Sequence, residues 1–483
     1  MHPLLPDLGA RAGRPAVRIG DAVVSHGELE RLALAHASRL AADGIAPGDR
    51  VAVWATAEVA TVAAVVGNAL LGAATVPLNP AIGEGELSHV LHDSAPRLVL
   101  AAEPGPFRAR SPAVRAIALD GPRSHPAPPA PGDPLLVLYT SGTTGKPKGA
   151  VITHANAAFD LDALADAWGL TERDVLVHAL PLFHVHGLVL GVLGPLRAGG
   201  TLDLVPRFSP EAVCAALGRG GTVLYAVPTM YHRLAEHAEG NPADAGRLSR
   251  ARLLVSGSAA LPVRESDRLH RLAGQRVVER YGLTETLINC AARHDGPRTP
   301  GTVGPPLPGI ELRLVDDARR PVAPGPEALG EVAVRGPNVF SGYLNRPEAT
   351  AAALDAEGFF HTGDIASRSE SGEVRIVGRR ATDLIKTGGY KVGAGEVEAA
   401  LLEHPGVREA AVIGVADDDL GERIVAFVVT APGADPRPEE LSEHVARLLA
   451  PHKRPRTVRL VPELPRNAMG KVLKKALAGT MER

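Results

Sequence analysis

Up to about residue 375 of this 483-residue chain, short β-branched runs alternate with apolar helical stretches. That alternation restricts the fold more than any other feature. Strand candidates are RVAVWA (50–55), LLVLYT (135–140), TVLYAVP (222–228) and RLLVSGS (252–258). Helix candidates include Glu28 to Asp43, Ala155 to Trp168 and Pro210 to Leu217. Strands separated by helices return to a sheet in the same direction, so the pattern predicts an α/β architecture with largely parallel sheets. The Pro/Gly-rich stretches 121–134 and 321–330 read as surface loops. Beyond Arg380 the texture changes to helix, strand, strand, helix within about 100 residues, which predicts a small α+β domain at the C-terminus.

The most apolar stretch, Val59 to Leu78, is long enough to consider as a membrane span. It is rich in Ala and Gly, contains Asn68, and ends in a strand-like TVPL, so it reads as a buried helix followed by a strand. The N-terminal MHPLLPDLGARAGR lacks a basic segment followed by an apolar core, and no signal peptide is expected. A net charge of −2 gives no bulk reason to expect nucleic acid or a membrane surface as partner. Cys214 and Cys290 show no ligand spacing, which fits a reducing cytoplasm and not a disulfide or structural zinc scaffold. Lysine is scarce, at eight of 52 basic residues: Lys146, Lys148, Lys386, Lys391, Lys453, Lys471, Lys474 and Lys475.

The segment LLVLYTSGTTGKPKGAVITH (135–154) carries the clearest chemistry. A buried strand runs into Thr140, Ser141, Gly142, Thr143, Thr144, Gly145, Lys146, Pro147 and Lys148. Small residues free backbone N–H groups to face an anion, the hydroxyls add donors, and two of the rare lysines add charge. That suits a polyphosphate. It is not a Walker A loop, which would need Gly at 140 and Ser or Thr at 147.

YTSGTTGKPKG resembles the signature loop of the adenylate-forming superfamily, which includes acyl-CoA synthetases, luciferases and nonribosomal-peptide adenylation domains. The other motifs of that family occur in order: LPLFHVHGL (180–188), VSGSAAL (255–261), RYGLTET (280–286), GYLNRPEAT (342–350), GFFHTGD (358–364), GRRATDLIKTGGYKVGAGEVE (378–398) and PRNAMGK (465–471). The resemblance implies β-sheets flanked by helices plus a distorted β-barrel in the large domain. It also implies a two-step reaction. A carboxylate attacks the α-phosphate of ATP, releasing pyrophosphate, and a thiol, coenzyme A, then displaces AMP from the acyl-adenylate. By resemblance, Thr140 to Lys148 form the phosphate loop, Gly257, Ser258 and Ala259 line the adenine pocket, and Tyr281 and Gly282 flank the base. Thr284 contacts phosphate, Glu285 holds Mg²⁺, Asp364 takes the ribose hydroxyls with Arg379 beside it, and Lys471 is the catalytic lysine.

The implied division is an AMP-binding and acyl-substrate domain over 1–378, a hinge over 379–383 and a mobile domain over 384–483. Rotation of the last would bring Lys386, Gly388 and Gly389 to the CoA thiol. The hinge departs from the family pattern by one residue and has no charged pivot, leaving Ala381 or Thr382 as pivot. For the acyl pocket, Arg280, His184, His186 and Ser258 suggest a second carboxylate, since an Arg in a fatty-acid pocket would be an unpaired buried cation. The wording of these motifs is similar to malonyl-CoA synthetases, which implies malonate, with methylmalonate second. The competing readings are a short-chain or aromatic monocarboxylate CoA synthetase and an enzyme loading a carrier protein. A structural ion pair is the competing role for Arg280. Oligomeric state is not legible.

Overall fold

The computed structural model describes residues 4–6, 8–107, 114–140, 147–380, 383–388, 390–417, 419–466 and 472–478. Ser141, Gly142, Thr143, Thr144, Gly145, Lys146, Gly389, Lys471 and the pivot candidates Ala381 and Thr382 lie outside them.

Two mixed sheets dominate. The first has eight strands in the order Leu287–Ala291, Val278–Leu283, Leu253–Ser256, Val223–Ala226, Val175–His178, Thr201–Leu204, Pro15–Ile19 and Ala22–Ser25. Its six inner strands are parallel, and each edge strand is antiparallel. The second has seven strands, Gly342–Tyr343, Lys148–Thr153, Pro134–Thr140, Ala74–Leu78, Arg50–Trp54, Leu98–Ala101 and Val114–Ala116. The expected alternation is therefore present, with the parallel strands read from the sequence at its centre.

Individual residues explain the local choices. Ser25 caps the helix His26–Ala42 in a reciprocal box with Glu28, and Thr153 caps His154–Trp168 in the same way with Asn156. The apolar stretch divides into the helix Val59–Leu71 and the strand Ala74–Leu78. Asn68 is fully buried in it because His36 Nε2 donates to its Oδ1 at 3.2 Å and its own Nδ2 donates to Thr75 Oγ1 at 2.9 Å. No described helix is long and apolar enough to cross a membrane.

A four-stranded antiparallel sheet follows, Glu311–Val315, Gly325–Arg335, Phe360–Arg368 and Val374–Arg379. One expectation is corrected here. The Pro/Gly-rich stretch 321–330 is not all loop, because Gly325 to Gly330 already belong to a strand. Register shifts between Gly325 and Gly330 absorb residues that do not fit a regular ladder. The last sheet pairs Tyr390–Gly393, Leu384–Thr387, Gly421–Thr430 and Val407–Asp417, with Thr457–Leu460 parallel on Gly421–Thr430. Helices Ala394–Leu402 and Pro438–Leu448 pack their apolar faces, through Val397, Leu401, Leu441 and Val445, into a core separate from those of the large sheets.

Candidate active site

Ligands of open α/β sheets sit beyond the carboxyl ends of parallel strands, and Gly257, Ser258 and Ala259 directly follow the parallel strand Leu253–Ser256 at that end. Strand register decides who meets whom. Ser256 pairs with Glu279, so the next residues, Gly257 and Arg280, fall side by side. A Cβ at position 257 would overlap the Arg280 guanidinium, so glycine there lets the cation lie across the backbone. Ser258 follows in the left-handed region at φ 71° with its side chain exposed, and Ala259 is exposed beside it. Arg280 Nη2 reaches Ser258 Oγ at 3.5 Å.

Arg280 is buried, and its Nε has no hydrogen-bond partner among the described residues. None of their carboxylates lies within ion-pair distance of it. Burial pulls its pKa down to about 10, with Asp160 and Tyr225 opposing the shift electrostatically, so it remains a cation at neutral pH. Asp160 is itself fully buried; it accepts from Ile288 N at 3.0 Å and is pushed well above the usual carboxylate range by burial. His186 is buried with both ring nitrogens unpartnered among the described residues, and its ring lies 5.7 Å from that of Tyr225. Burial, then Arg280, then His178 push His186 well below its ordinary pKa. His184 is half-buried, shifted down by burial, and packs on Phe183 at 4.4 Å. Arg280 thus stands beside the neutral imidazole of His186, whereas His184 is placed only against Phe183.

The residues predicted for the nucleotide form a second group. Tyr281 donates its hydroxyl to Asp364 Oδ2 at 2.7 Å, and Arg379 Nε lies 3.0 Å from Asp364 Oδ1. Strand register, Asp364 opposite Arg379, brings that pair together. Tyr281 is expected at the base; here its hydroxyl also ties it to the predicted ribose carboxylate. Gly282 is the penultimate residue of the strand Val278–Leu283, and Thr284 and Glu285 occupy the turn before Leu287–Ala291. Glu285 Oε1 accepts from the Tyr343 hydroxyl at 2.8 Å, and Lys148 Nζ sits 4.2 Å over the Tyr343 ring. No described cation lies within ion-pair distance of Glu285, which leaves a hard oxygen donor available to a divalent ion.

Thr140 and Lys148 face each other across the hairpin that carries the glycine-rich loop. Lys386 is exposed in Leu384–Thr387, far along the chain from this cluster, and Gly388 turns the next residue at φ 55°. Sequence reasoning missed Tyr343, Asp160, His178 and Tyr225. Only Tyr343 had a signal, its place in the GYLNRPEAT motif. Cys214, His237 and Asp244 also converge, within 4.8 Å. Their hydrogen bonds close the cluster: His237 Nε2 lies 2.7 Å from Asp244 Oδ2, and Arg247 donates to Asp244 Oδ1 at 2.6 Å.

The chain matches the AMP-binding enzyme family over residues 8–344 and that family's C-terminal domain over residues 396–471. The chain belongs to that family. It is similar to a solved malonyl-CoA ligase, a ternary product complex with methylmalonyl-CoA and AMP bound, at 55% identity and a TM-score of 0.73, covering 96% of this chain and 100% of that one. ATP-bound MatB from Rhodopseudomonas palustris is 35% identical with a TM-score of 0.90, covering 100% of this chain and 99% of that one. The malonate–CoA ligase of Arabidopsis thaliana is 36% identical over 91% of this chain and 79% of its own length.

Proposed function

We propose that this protein is an ATP-dependent malonate–CoA ligase that also takes methylmalonate. The observation that carries this reading is Arg280, a buried guanidinium with no described carboxylate partner, with Ser258 and His186 close to it. An unpaired buried cation is costly, and a substrate carboxylate that completes the pair recovers that cost as binding. The neutral imidazole of His186 fits the same picture, because the pocket then offers one positive charge to the one carboxylate that does not react. The relatives named above support the substrate class.

In the first step an oxygen of the other carboxylate bonds to the α-phosphorus of ATP. The bond from that phosphorus to the bridging oxygen breaks, and pyrophosphate leaves. Two anions must meet, so positioning and positive charge matter more than covalent help. Thr140 to Lys148 would hold the phosphates, with Thr284 beside them. Gly257, Ser258, Ala259, Tyr281 and Gly282 would hold the base, and Asp364, backed by Arg379, the ribose hydroxyls. Lys471 would bridge carboxylate and α-phosphate. Glu285 would hold Mg²⁺, which when bound neutralises phosphate charge. In the second step the CoA sulfur bonds to the acyl carbon, its proton passes to solvent, and AMP leaves. Rotation about the 379–383 hinge between the 1–378 and 384–483 domains would exchange Lys471 for Lys386, Gly388 and Gly389 at the site. Two buried, free cysteines accord with a reducing compartment such as the cytoplasm.

Pyrophosphate release measured over malonate, methylmalonate, acetate and benzoate tests the reading. kcat/KM for malonate should exceed that for acetate by about a thousandfold, as expected where a site's buried polar group goes unpaired with the wrong substrate. A preference for acetate or benzoate would overturn it.

A further inference from the structure

We propose that the helix Glu84–Ser94 is a clamp on the phosphate loop, and that His89 and Asp93 on it are positioning residues for ATP. The inference rests on the reading of Thr140 to Lys148 as the phosphate loop. Four residues apart, His89 and Asp93 share one face of that helix. His89 Nε2 donates to the Pro147 carbonyl at 2.8 Å. Asp93 Oδ2 accepts the Tyr139 hydroxyl at 2.8 Å. Tyr139 and Pro147 flank the glycine-rich residues on opposite sides, so one helix face grips both stalks of the loop. The His89 and Tyr139 rings also meet edge to face at 6.3 Å.

The carboxylate of the clamp is buried and charge-compensated. Asp93 is 8% exposed, and Arg346 Nη2 lies 3.0 Å from its Oδ1. Asn345 Nδ2 donates to the Asp93 carbonyl at 2.8 Å. Asn345 and Arg346 close the short segment that begins at Tyr343, the residue holding Glu285 and lying under Lys148. A continuous set of contacts therefore joins the helix, both stalks of the loop, Lys148 and Glu285.

A glycine-rich loop supplies backbone donors at a high ordering cost, and fixing both of its ends reduces what ATP must order on binding. The β- and γ-phosphates take part in adenylate formation and have left before thioester formation. Loss of the clamp should therefore weaken one half-reaction and spare the other, a split that a general packing role would not produce.

The experiment uses the full chain carrying Tyr139→Phe, His89→Ala or Asp93→Asn, with Lys148→Ala alongside. It measures KM for ATP, ATP–pyrophosphate exchange, and thioester formation from synthetic malonyl-AMP and CoA. For each clamp variant we expect exchange to slow, or KM for ATP to rise, about tenfold, the scale of one lost charge-assisted hydrogen bond, with the thioester step within about twofold of the parent. Equal loss in both half-reactions, or no change in either, would overturn the clamp. If Asp93→Asn does not fold, Tyr139→Phe, which keeps ring and volume, decides. Lys148→Ala separates the two failures. If it weakens ATP use while Tyr139→Phe does not, the clamp alone is wrong; if it too leaves ATP use unchanged, the phosphate-loop reading has failed and the clamp with it.

Discussion

Arg280 is a residue whose stability cost and functional value have opposite signs. Replacing an unpaired buried cation with an apolar side chain of similar length removes a desolvation cost of several kcal/mol. Arg280→Met is therefore expected to hold or raise the unfolding midpoint in urea while reducing kcat/KM for malonate by about a hundredfold or more, with KM for ATP little changed. A fall in stability together with unchanged malonate activity would mark Arg280 as structural. His178 makes a second residue-scale case. Burial holds its pKa down to about 3, and Leu180 N donates to its Nδ1 at 3.1 Å. The unfolded chain, with an ordinary value near 6.5, binds the proton that the folded chain refuses as pH falls below about 6.5. Its contribution is thus full above 6.5 and is lost progressively toward pH 3. Between pH 7 and 5 it removes about 2 kcal/mol, and His178→Gln should flatten the pH dependence of the urea midpoint by about that amount.

At the scale of elements, the π-helical turn His186–Leu193 sets where His186 points. Wide turns of this kind recur at functional sites. This one is fully buried, and Gly187 at its start lies so close to the Pro181 carbonyl that a Cβ would overlap it. Gly187→Ala should cost about 1–3 kcal/mol through overpacking and displace the histidine beside it. Thermal melts with separate KM values for malonate and ATP check this; a rise confined to malonate is expected. The motif LPLFHVHGL showed where the histidines are but not this turn, because a run of apolar residues does not distinguish one helical winding from another. Strand and helix positions were otherwise well marked in the large domain. The stretch 321–330 misled, since Pro and Gly density signals a loop, yet the neighbouring strand Phe360–Arg368 recruits its second half at Gly325 and Gly330.

At the scale of the molecule, the lysines regain interest. Lys474, without a role from sequence, pairs with Asp383 Oδ1 at 2.6 Å and Glu398 Oε1 at 2.7 Å. Lys453, equally unassigned, pairs with Glu396 at 2.7 Å. The first pairing ties the segment just after Lys471 to the last residue of the proposed hinge. The proposed domain alternation gives a clear expectation for Lys471→Ala. Adenylate formation, followed by ATP–pyrophosphate exchange, should fall about a thousandfold or more, while thioester formation from synthetic malonyl-AMP stays within about twofold. Equal loss of both would remove the two-position scheme.

The sequence by itself determined the α/β class, the small C-terminal unit, the family and the order of the nucleotide-binding parts. The residues proposed for phosphate and ribose fall within short motifs, which is why they are legible in the sequence. Tertiary structure alone decided that Arg280 lacks a described carboxylate partner, that Tyr343 holds Glu285, and that one helix face contacts both Tyr139 and Pro147. Each is a matter of desolvation or of contact between residues far apart in the chain: Asn345 and Asp93 are separated by 252 positions. The burial of a charge is a sum over such distant neighbours, and no local stretch records it.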